Sequence, residues 1–144
     1  MEVAVDLAVL GDWTPLWNAW VEDAERRYRV ELAEAGPELL DERLGNWRAL
    51  LERYAEDHAP VYLRPNAEVS AALRRLRAAG ASVVAFTDAP APLARVALAH
   101  LAGRLIDGVA AAPPAGATVV RSRDDLFVQS RLLEATGEAK SRPL

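Results

Sequence analysis

Continuous apolar runs, rather than runs that alternate with polar residues, mark the candidate strands of this chain. Residues 1–8 are rich in Val and Ala, and the run "ASVVAF" is bounded on both sides by turn residues. Such runs are typical of strands that are buried on both faces of a parallel sheet. They predict one strand that ends before Gly11 and Asp12, and a second that ends at Thr87 and Asp88. The runs "LIDGVAAA" and "ATVV" predict two further short strands.

Apolar residues at three- and four-residue spacing predict the helices. Thr14 and Pro15 open an antiparallel helical pair that extends to about residue 58 and breaks near Gly45. Pro60 and Pro65 predict an extended connection, because each proline biases the residue before it away from helix. The other predicted helices are one capped by Asn66 and ended by Gly80, one opened by Pro90 and Pro92 and ended by Gly103, and one over residues 124–136 that precedes a frayed tail.

The order of these elements predicts an α/β fold with a Rossmann-like parallel sheet core. Few residues separate the last two short runs, at residues 109–112 and 118–120, whereas a crossover between neighbouring parallel strands needs about a dozen. These two segments are therefore expected to form a hairpin, unless one of them is not a strand. A sheet of three parallel strands plus a hairpin has exposed edges, which is compatible with a homodimer that covers one edge.

The composition narrows the classes of function. The chain has 144 residues, of which 51% are hydrophobic, enough for one domain with a buried core. A net charge of -4 gives no general attraction to nucleic acid or to an anionic membrane. There is no cysteine and there are two histidines, so thiolate metal sites are excluded and a zinc site is disfavoured. No apolar run reaches the roughly 18 residues that span a bilayer, so a cytoplasmic location is expected.

Candidate chemistry lies where the predicted strands end, because open α/β sheets bind ligands beyond the carboxyl ends of their strands. Asp6 ends the first strand, a helical segment follows directly, and the run "LRPNAEVSAALRRLRAAGASVVAFTDAP" places Thr87 at the end of the second. With the later "LIDGV", these features resemble the haloacid dehalogenase-like (HAD) hydrolase superfamily over roughly residues 1–112. The resemblance implies an α/β core formed by residues 1–12 and 63–144, with an α-helical cap inserted at residues 13–62.

The resemblance also implies roles for individual side chains. The family's chemistry uses an aspartate nucleophile, at the position of Asp6, and a hydroxyl that binds the transferred phosphoryl group, at the position of Thr87. Phosphate contacts are therefore expected at Thr87 and Asp88. Distal acids hold Mg²⁺ in the family, so Asp6 with Asp124 or Asp125 is the expected metal set. The implied ligand is a small phosphorylated or carboxylate compound.

The chain departs from the family pattern where the reaction is concerned. Ala8 stands where the general acid is expected, and Leu10 stands where a threonine is expected. Loss of proton delivery to the leaving group costs about 10²–10⁴-fold in rate. No lysine occurs in residues 1–139, so the stretch after "LIDGV" offers only Arg121 and Arg123 in place of the family's lysine. The sequence therefore predicts a HAD-like protein of unknown substrate, with little or no phosphatase activity.

Each candidate side chain also has a purely structural interpretation. Asp6 is then a strand-end residue that binds loop amides. Thr87 and Asp88 are a pair that caps the helix after Pro90. Asp124 and Asp125 cap the last helix and complement its dipole. On this interpretation the acids and the hydroxyl position the chain and bind no ligand.

All four tryptophans of the chain lie in its first 47 residues, inside or beside the predicted cap. Trp17 and Trp20 share one helix face, which predicts packing between the cap helices. Trp13 and Trp17 are also candidates for an aromatic lid over Asp6. The alternative function is accordingly a non-catalytic module that binds a small anion, or a protein partner through the Trp-bearing helices.

Overall fold

Four strands and seven helices make up the part of the chain that this computed structural model describes, residues 1–141 with side chains through residue 135. The strands are β1 (Glu2–Asp6), β2 (Ser82–Phe86), β3 (Gly108–Ala110) and β4 (Thr118–Val120). The helices are α1 (Leu7–Leu10), α2 (Thr14–Tyr28), α3 (Pro37–Leu44), α4 (Trp47–Tyr62), α5 (Ala67–Ala78), α6 (Ala91–Leu101) and α7 (Arg123–Ser141), with a short 3-10 turn at Gly103–Leu105.

The four strands form one parallel sheet in the order β3-β2-β1-β4. β1 pairs with β2 over its whole length along one edge and with β4 along the other. Val3, Ala4 and Val5 of this central strand are completely buried. Burial on both faces explains why the run does not alternate with polar residues. The predicted α/β fold with a parallel sheet is confirmed.

The prediction that the last two strands form a hairpin is wrong. β3 and β4 are both strands, they are parallel to their neighbours, and they lie at opposite edges of the sheet. Residues 111–117 therefore span three strand spacings of about 4.8 Å each. Seven extended residues reach roughly 24 Å, so this connector needs no helix. The requirement for a dozen residues concerns neighbouring parallel strands, and these two are not neighbours.

Helices cover the sheet and share its core. α5 packs against α7 and β2, whereas α6 packs against α4 and α1. Buried side chains of α2, α3 and α4 belong to the same apolar cluster as the strands, and Leu16, Leu40 and Leu51 are examples. The division into a core and a cap remains a prediction. Within residues 1–141 no helix combines the length and the apolar character needed to cross a membrane.

Several predicted boundaries are confirmed by local geometry. Asn66 caps α5, since its Oδ1 accepts a hydrogen bond from the Val69 N–H at 3.0 Å. The helical region breaks at Gly45, whose φ of 65° is a left-handed conformation that favours glycine. β2 ends immediately before Thr87, as its flanking residues predict.

Other predicted boundaries are wrong. β1 ends at Asp6, as predicted for the first strand, but the apolar residues that follow it form the one-turn helix α1, which was not predicted. Pro60 lies inside α4, where the expected extended connection would have begun. A proline so near the end of a helix removes only one backbone hydrogen bond, while the buried Ala59 and Leu63 anchor the last turn.

The last helix is longer than the sequence pattern predicts. α7 begins at Arg123 and continues to Ser141, past the expected end at residue 136. The tail that was expected to fray, residues 137–144, therefore begins inside this helix. Its last three residues, 142–144, lie outside the described residues.

Asp107 joins α5 to the amino-terminal end of the sheet. Its Oδ1 accepts from the Arg77 guanidinium at 2.6 Å, and its Oδ2 accepts from the Val83 N–H at 2.8 Å. The Arg77 guanidinium, and next the Val83 N–H, lower the pKa of the Asp107 carboxyl below its ordinary value of 3.8. Because the folded state holds this carboxylate ionised more strongly than the unfolded chain does, the bonds stabilise the fold only where Asp107 is ionised.

Replacing Asp107 with asparagine should lower the free energy of unfolding by about 1 kcal/mol near neutral pH, since the ion pair is partly exposed. A depressed folded-state pKa gives stability that is complete above the unfolded pKa and is lost as pH falls through the folded pKa. The deficit of Asp107→Asn should therefore shrink below about pH 4. Urea denaturation at several pH values measures it, with the exposed Asp57→Asn as control. An equally large deficit at low pH would mean that the stabilisation does not depend on the ionised Asp107 carboxylate.

Candidate functional site

The carboxyl ends of β1, β2 and β4 bring polar side chains to one edge of the sheet. Asp6 is the last residue of β1, Thr87 follows β2, and Arg121 follows β4. Parallel pairing places these strand ends side by side. Asp6, Thr87 and Arg121 line a cavity of about 320 Å³. Its other lining residues are Phe86, Asp88, Ala111, Ala112 and Pro113. The first residues of the β3–β4 connector thus form one wall of this cavity, which we call the Asp6 cavity.

Asp6 is half-buried, and its side chain caps α1. Its Oδ1 accepts a hydrogen bond from the Ala8 N–H at 3.1 Å, which satisfies an N–H that has no partner within the helix. Among the described residues, its Oδ2 has no hydrogen-bond partner. The structural interpretation of Asp6 therefore accounts for one carboxylate oxygen and leaves the other available to a ligand.

Ala8, at the expected position of a general acid, is an exposed residue of α1. It contributes a backbone N–H to the Asp6 carboxylate and presents only a methyl group at its side chain. The three-residue segment from Asp6 to Ala8 is thus a helix cap. It contains one carboxylate, whereas the chemistry that the HAD-like resemblance implies uses two, a nucleophile and a general acid.

Thr87 and Asp88 differ in their surroundings. Thr87 is 8% exposed, and its Oγ1 accepts from the Ala89 N–H at 3.0 Å, which fixes the turn that leads into α6. A hydroxyl keeps a donor hydrogen when it accepts one bond, so Thr87 can still donate to a ligand. Asp88 is exposed, and its carboxylate makes no hydrogen bond or ion pair with any described side chain or backbone group. Asp88 therefore carries an uncompensated negative charge at the edge of the site.

Arg121 brings the positive charge of the Asp6 cavity. Its guanidinium lies over the Phe86 ring, 5.1 Å from the ring centroid, and forms no ion pair among the described residues. The sequence presents Arg121 only as one of two cations after the third strand. Its place beside Asp6 follows from the pairing of β4 with β1, which no local sequence signal indicates.

Asp124 and Asp125 lie in the first turn of α7, where acidic side chains complement the helix dipole. The Ser122 Oγ accepts from the Asp125 N–H at 3.1 Å, so serine provides the cap. Neither aspartate lines the Asp6 cavity. Within the described part of the chain, no three His, Asp or Glu side chains lie close enough together to hold a metal ion. The magnesium set of Asp6 with Asp124 or Asp125 remains a prediction.

A second cavity, of about 530 Å³, lies between the Trp-bearing helices and the turn before α6. We call it the Trp cavity. Trp13 and Trp17, the predicted lid residues, line it. The other lining residues are Thr14, Ala35, Pro37, Leu40, Trp47, Arg48, Asp88, Pro90, Ala91 and Pro92. Asp88 lines both cavities, so the apolar space adjoins the polar space at this carboxylate.

The tryptophans divide into two that are buried and two that are half-buried. Trp20 and Trp47 are each 2% exposed, with ring centroids 6.3 Å apart, and they join α2 to α4. The contact between Trp20 and Trp47 confirms the predicted packing between these helices, and the Trp17 ring lies 5.3 Å from that of Trp20 within α2. Trp13 and Trp17 are half-buried and keep part of their surface on the Trp cavity. Their role as a lid remains a prediction.

Polar contacts fix one wall of the Trp cavity. The Trp47 Nε1–H donates to Asp41 Oδ1 at 2.7 Å, and the Arg48 guanidinium pairs with the same oxygen at 3.0 Å. Arg48 also lies over the Trp47 ring, 4.5 Å from its centroid. Sequence reasoning gave no role to Asp41 or Arg48, because no local signal indicates their contacts with the Trp47 indole. Their contacts neutralise Arg48 and hold the indole in place.

The chain was also compared with known proteins. No model of a protein family, no curated protein and no solved structure matched it.

Proposed function

We propose that this protein is HAD-like, with a Rossmann-like core and with α2, α3 and α4 as its helical cap. Two features support the proposal. Asp6 and Thr87 end neighbouring parallel strands, as a nucleophile position and a phosphate-binding hydroxyl of that family would. In addition, β4 lies beside β1, so a third strand end reaches Asp6.

Little or no phosphatase activity is expected from this site. Position 8 lacks the acid that would protonate a leaving group, and the nearest cation is an arginine in place of a lysine. Mg²⁺ prefers an octahedral set of oxygen ligands. The Asp6 cavity offers two carboxylates, Asp6 and Asp88, beside a guanidinium that repels a cation. The guanidinium disfavours a magnesium ion at these two carboxylates, and the proposed function does not depend on one.

The function that the geometry supports best is binding of a small phosphorylated or carboxylate ligand without hydrolysis. The single observation that carries it is the Arg121 guanidinium, which lines the Asp6 cavity and has no ion-pair partner among the described residues. A guanidinium binds carboxylate and phosphate groups through parallel N–H donors. The Thr87 hydroxyl lies in the same cavity as a further donor.

The protein-binding alternative has less support. A contact surface made by the Trp-bearing helices would require exposed aromatic rings. Trp20 and Trp47 are each 2% exposed, and Trp13 and Trp17 face a cavity. These helices therefore provide the wall of a small-molecule cavity more readily than a surface for another protein.

A turnover assay tests the absence of catalysis. Purified protein with an aryl phosphate and Mg²⁺ should show no turnover that depends on Asp6, so the wild type and Asp6→Asn should release phosphate equally slowly. Mg²⁺ alone should leave the melting temperature unchanged, because only an ion that binds the native state shifts it. Circular dichroism of both proteins controls for folding. Clear turnover in the wild type that is lost in Asp6→Asn would refute the non-hydrolytic function.

A further inference from the structure

The Asp6 cavity and the Trp cavity share Asp88 as a lining residue, and we call the two cavities together the cleft. Arg121 gives a positive charge at one end, Trp13 and Trp17 give apolar aromatic walls at the other, and Asp88 lies between them. Neither Arg121 nor Asp88 forms an ion pair with a described residue. A single ligand that spans the cleft would meet an anion site, a cation site and an aromatic site in turn.

We propose that the ligand is an aromatic zwitterion: a compound with an aromatic ring, a protonated amino group and one anionic group, as in an aromatic amino acid. This inference rests on the proposed function, because the anionic group is the one that Arg121 binds. The proposed ligand also carries an aromatic ring, which fills the Trp cavity, and an amino group, which pairs with Asp88.

The Trp cavity selects the aromatic ring. Its walls are mainly indole, proline and leucine side chains, and such walls stabilise a flat apolar group by burial and by offset or edge-to-face ring contacts. A volume of about 530 Å³ accommodates a one- or two-ring body. Trp13 and Trp17 keep exposed surface toward this space, so a ring has aromatic faces available to it.

Asp88 selects the amino group. Its carboxylate has no partner among the described residues, and Asp88 is a lining residue of both cavities. The other charges near the Trp cavity do not compete for it, since Arg48 pairs with Asp41 and lies over the Trp47 ring. Asp6 adds a second negative charge to the Asp6 cavity. A protonated amine beside Asp88 compensates one of the two carboxylates, whereas an anion without an amine pairs with Arg121 and leaves both carboxylates uncompensated.

Four small probes separate the three contributions by isothermal titration calorimetry. L-Phenylalanine carries the ring, the amine and the carboxylate. 2-Phenylethylamine lacks the carboxylate, 3-phenylpropionate lacks the amine, and L-alanine lacks the ring. Phenylalanine should bind tightest, and each of the other three probes should bind at least about fivefold more weakly, as the loss of one ion pair or one ring contact implies.

Two variants assign the contributions of the amino group and the ring to residues, and a third variant is the control. Asp88→Asn should weaken phenylalanine and 2-phenylethylamine about fivefold and leave 3-phenylpropionate within twofold. Trp17→Ala should weaken the three aromatic probes and leave alanine unchanged. Asp124→Asn is the matched control, because Asp124 is an exposed acid outside both cavities, and all four affinities should stay the same.

The outcomes distinguish this inference from the proposed function. If 3-phenylpropionate binds as tightly as phenylalanine and its affinity requires Arg121, the proposed function stands and the zwitterion is refuted. If only 2-phenylethylamine binds, and its affinity requires Asp88, the anion site at Arg121 is refuted and the zwitterion with it. Failure of all four probes to bind, with the protein folded, would also overturn the inference.

Discussion

Replacing Trp20 with alanine should lower the free energy of unfolding by about 3–5 kcal/mol, the cost usual for truncating a buried tryptophan. Trp20 is 2% exposed and lies between two other indoles, with centroid distances of 5.3 Å to Trp17 and 6.3 Å to Trp47. Its removal leaves a cavity between α2 and α4 and deletes both ring contacts. Urea denaturation followed by circular dichroism measures the loss, because the Trp fluorescence itself changes in the variant.

Two further variants make the Trp20 result specific. Trp20→Phe keeps most of the apolar volume and should cost less than half as much. Trp17→Ala removes a half-buried indole and should also cost clearly less, since part of that side chain faces the Trp cavity. Equal losses in the free energy of unfolding for Trp17→Ala and Trp20→Ala would mean that Trp20 is no more central to the packing than the half-buried Trp17.

Replacing Arg121 with glutamine should weaken the binding of phenyl phosphate at least about tenfold, because a charge-assisted hydrogen bond contributes roughly 1.5–3 kcal/mol. The Arg121 guanidinium is the positive group that lines the Asp6 cavity. Glutamine keeps a polar side chain of intermediate length but removes the charge. Calorimetric titration of both proteins measures the ratio, and raising the salt concentration should reduce the difference.

Arg104→Gln is the matched control for Arg121. Arg104 is an exposed cation in the 3-10 turn and does not line the Asp6 cavity. Its removal changes the net charge of the protein by the same amount, so any loss of affinity that both variants share reports only general electrostatic attraction. Equal affinities of Arg121→Gln and the wild type would remove the main support for an anion site.

The buried strands and the helix caps could be predicted from sequence because their signals are local. Val3 to Val5 form an apolar run that only a central parallel strand buries on both faces. Asn66 stands one residue before α5, and its side chain reaches an N–H only three residues later. Thr87 and Asp88 directly follow a β-branched run. Each of these features depends on neighbours that lie within one turn or one strand.

The site could be predicted only in part, because its members meet through pairing between distant segments. β4 lies about 115 residues after β1 in the chain, and its register beside β1 brings Arg121 into the cavity that Asp6 lines. Length arguments excluded β4 as a parallel neighbour of β3, but they predicted a hairpin with β3 and gave no indication of the opposite edge. The Trp cavity was missed for a similar reason: the turn that contains Pro90 and Pro92 and the helix that contains Trp47 are far apart in sequence.

The central place of β1 also determines when this protein can begin to fold on the ribosome. Both partners of β1 follow it in the chain, so β1 acquires its first partner only after residue 86 has left the ribosome, and its second partner only after residue 120. Until then the backbone N–H and C=O groups of β1 remain without their sheet partners, next to an apolar segment that continues through Leu10. During synthesis β1 therefore stays without both of its sheet partners while residues 7–120 are added, and chaperones that bind apolar nascent segments would protect it in that interval.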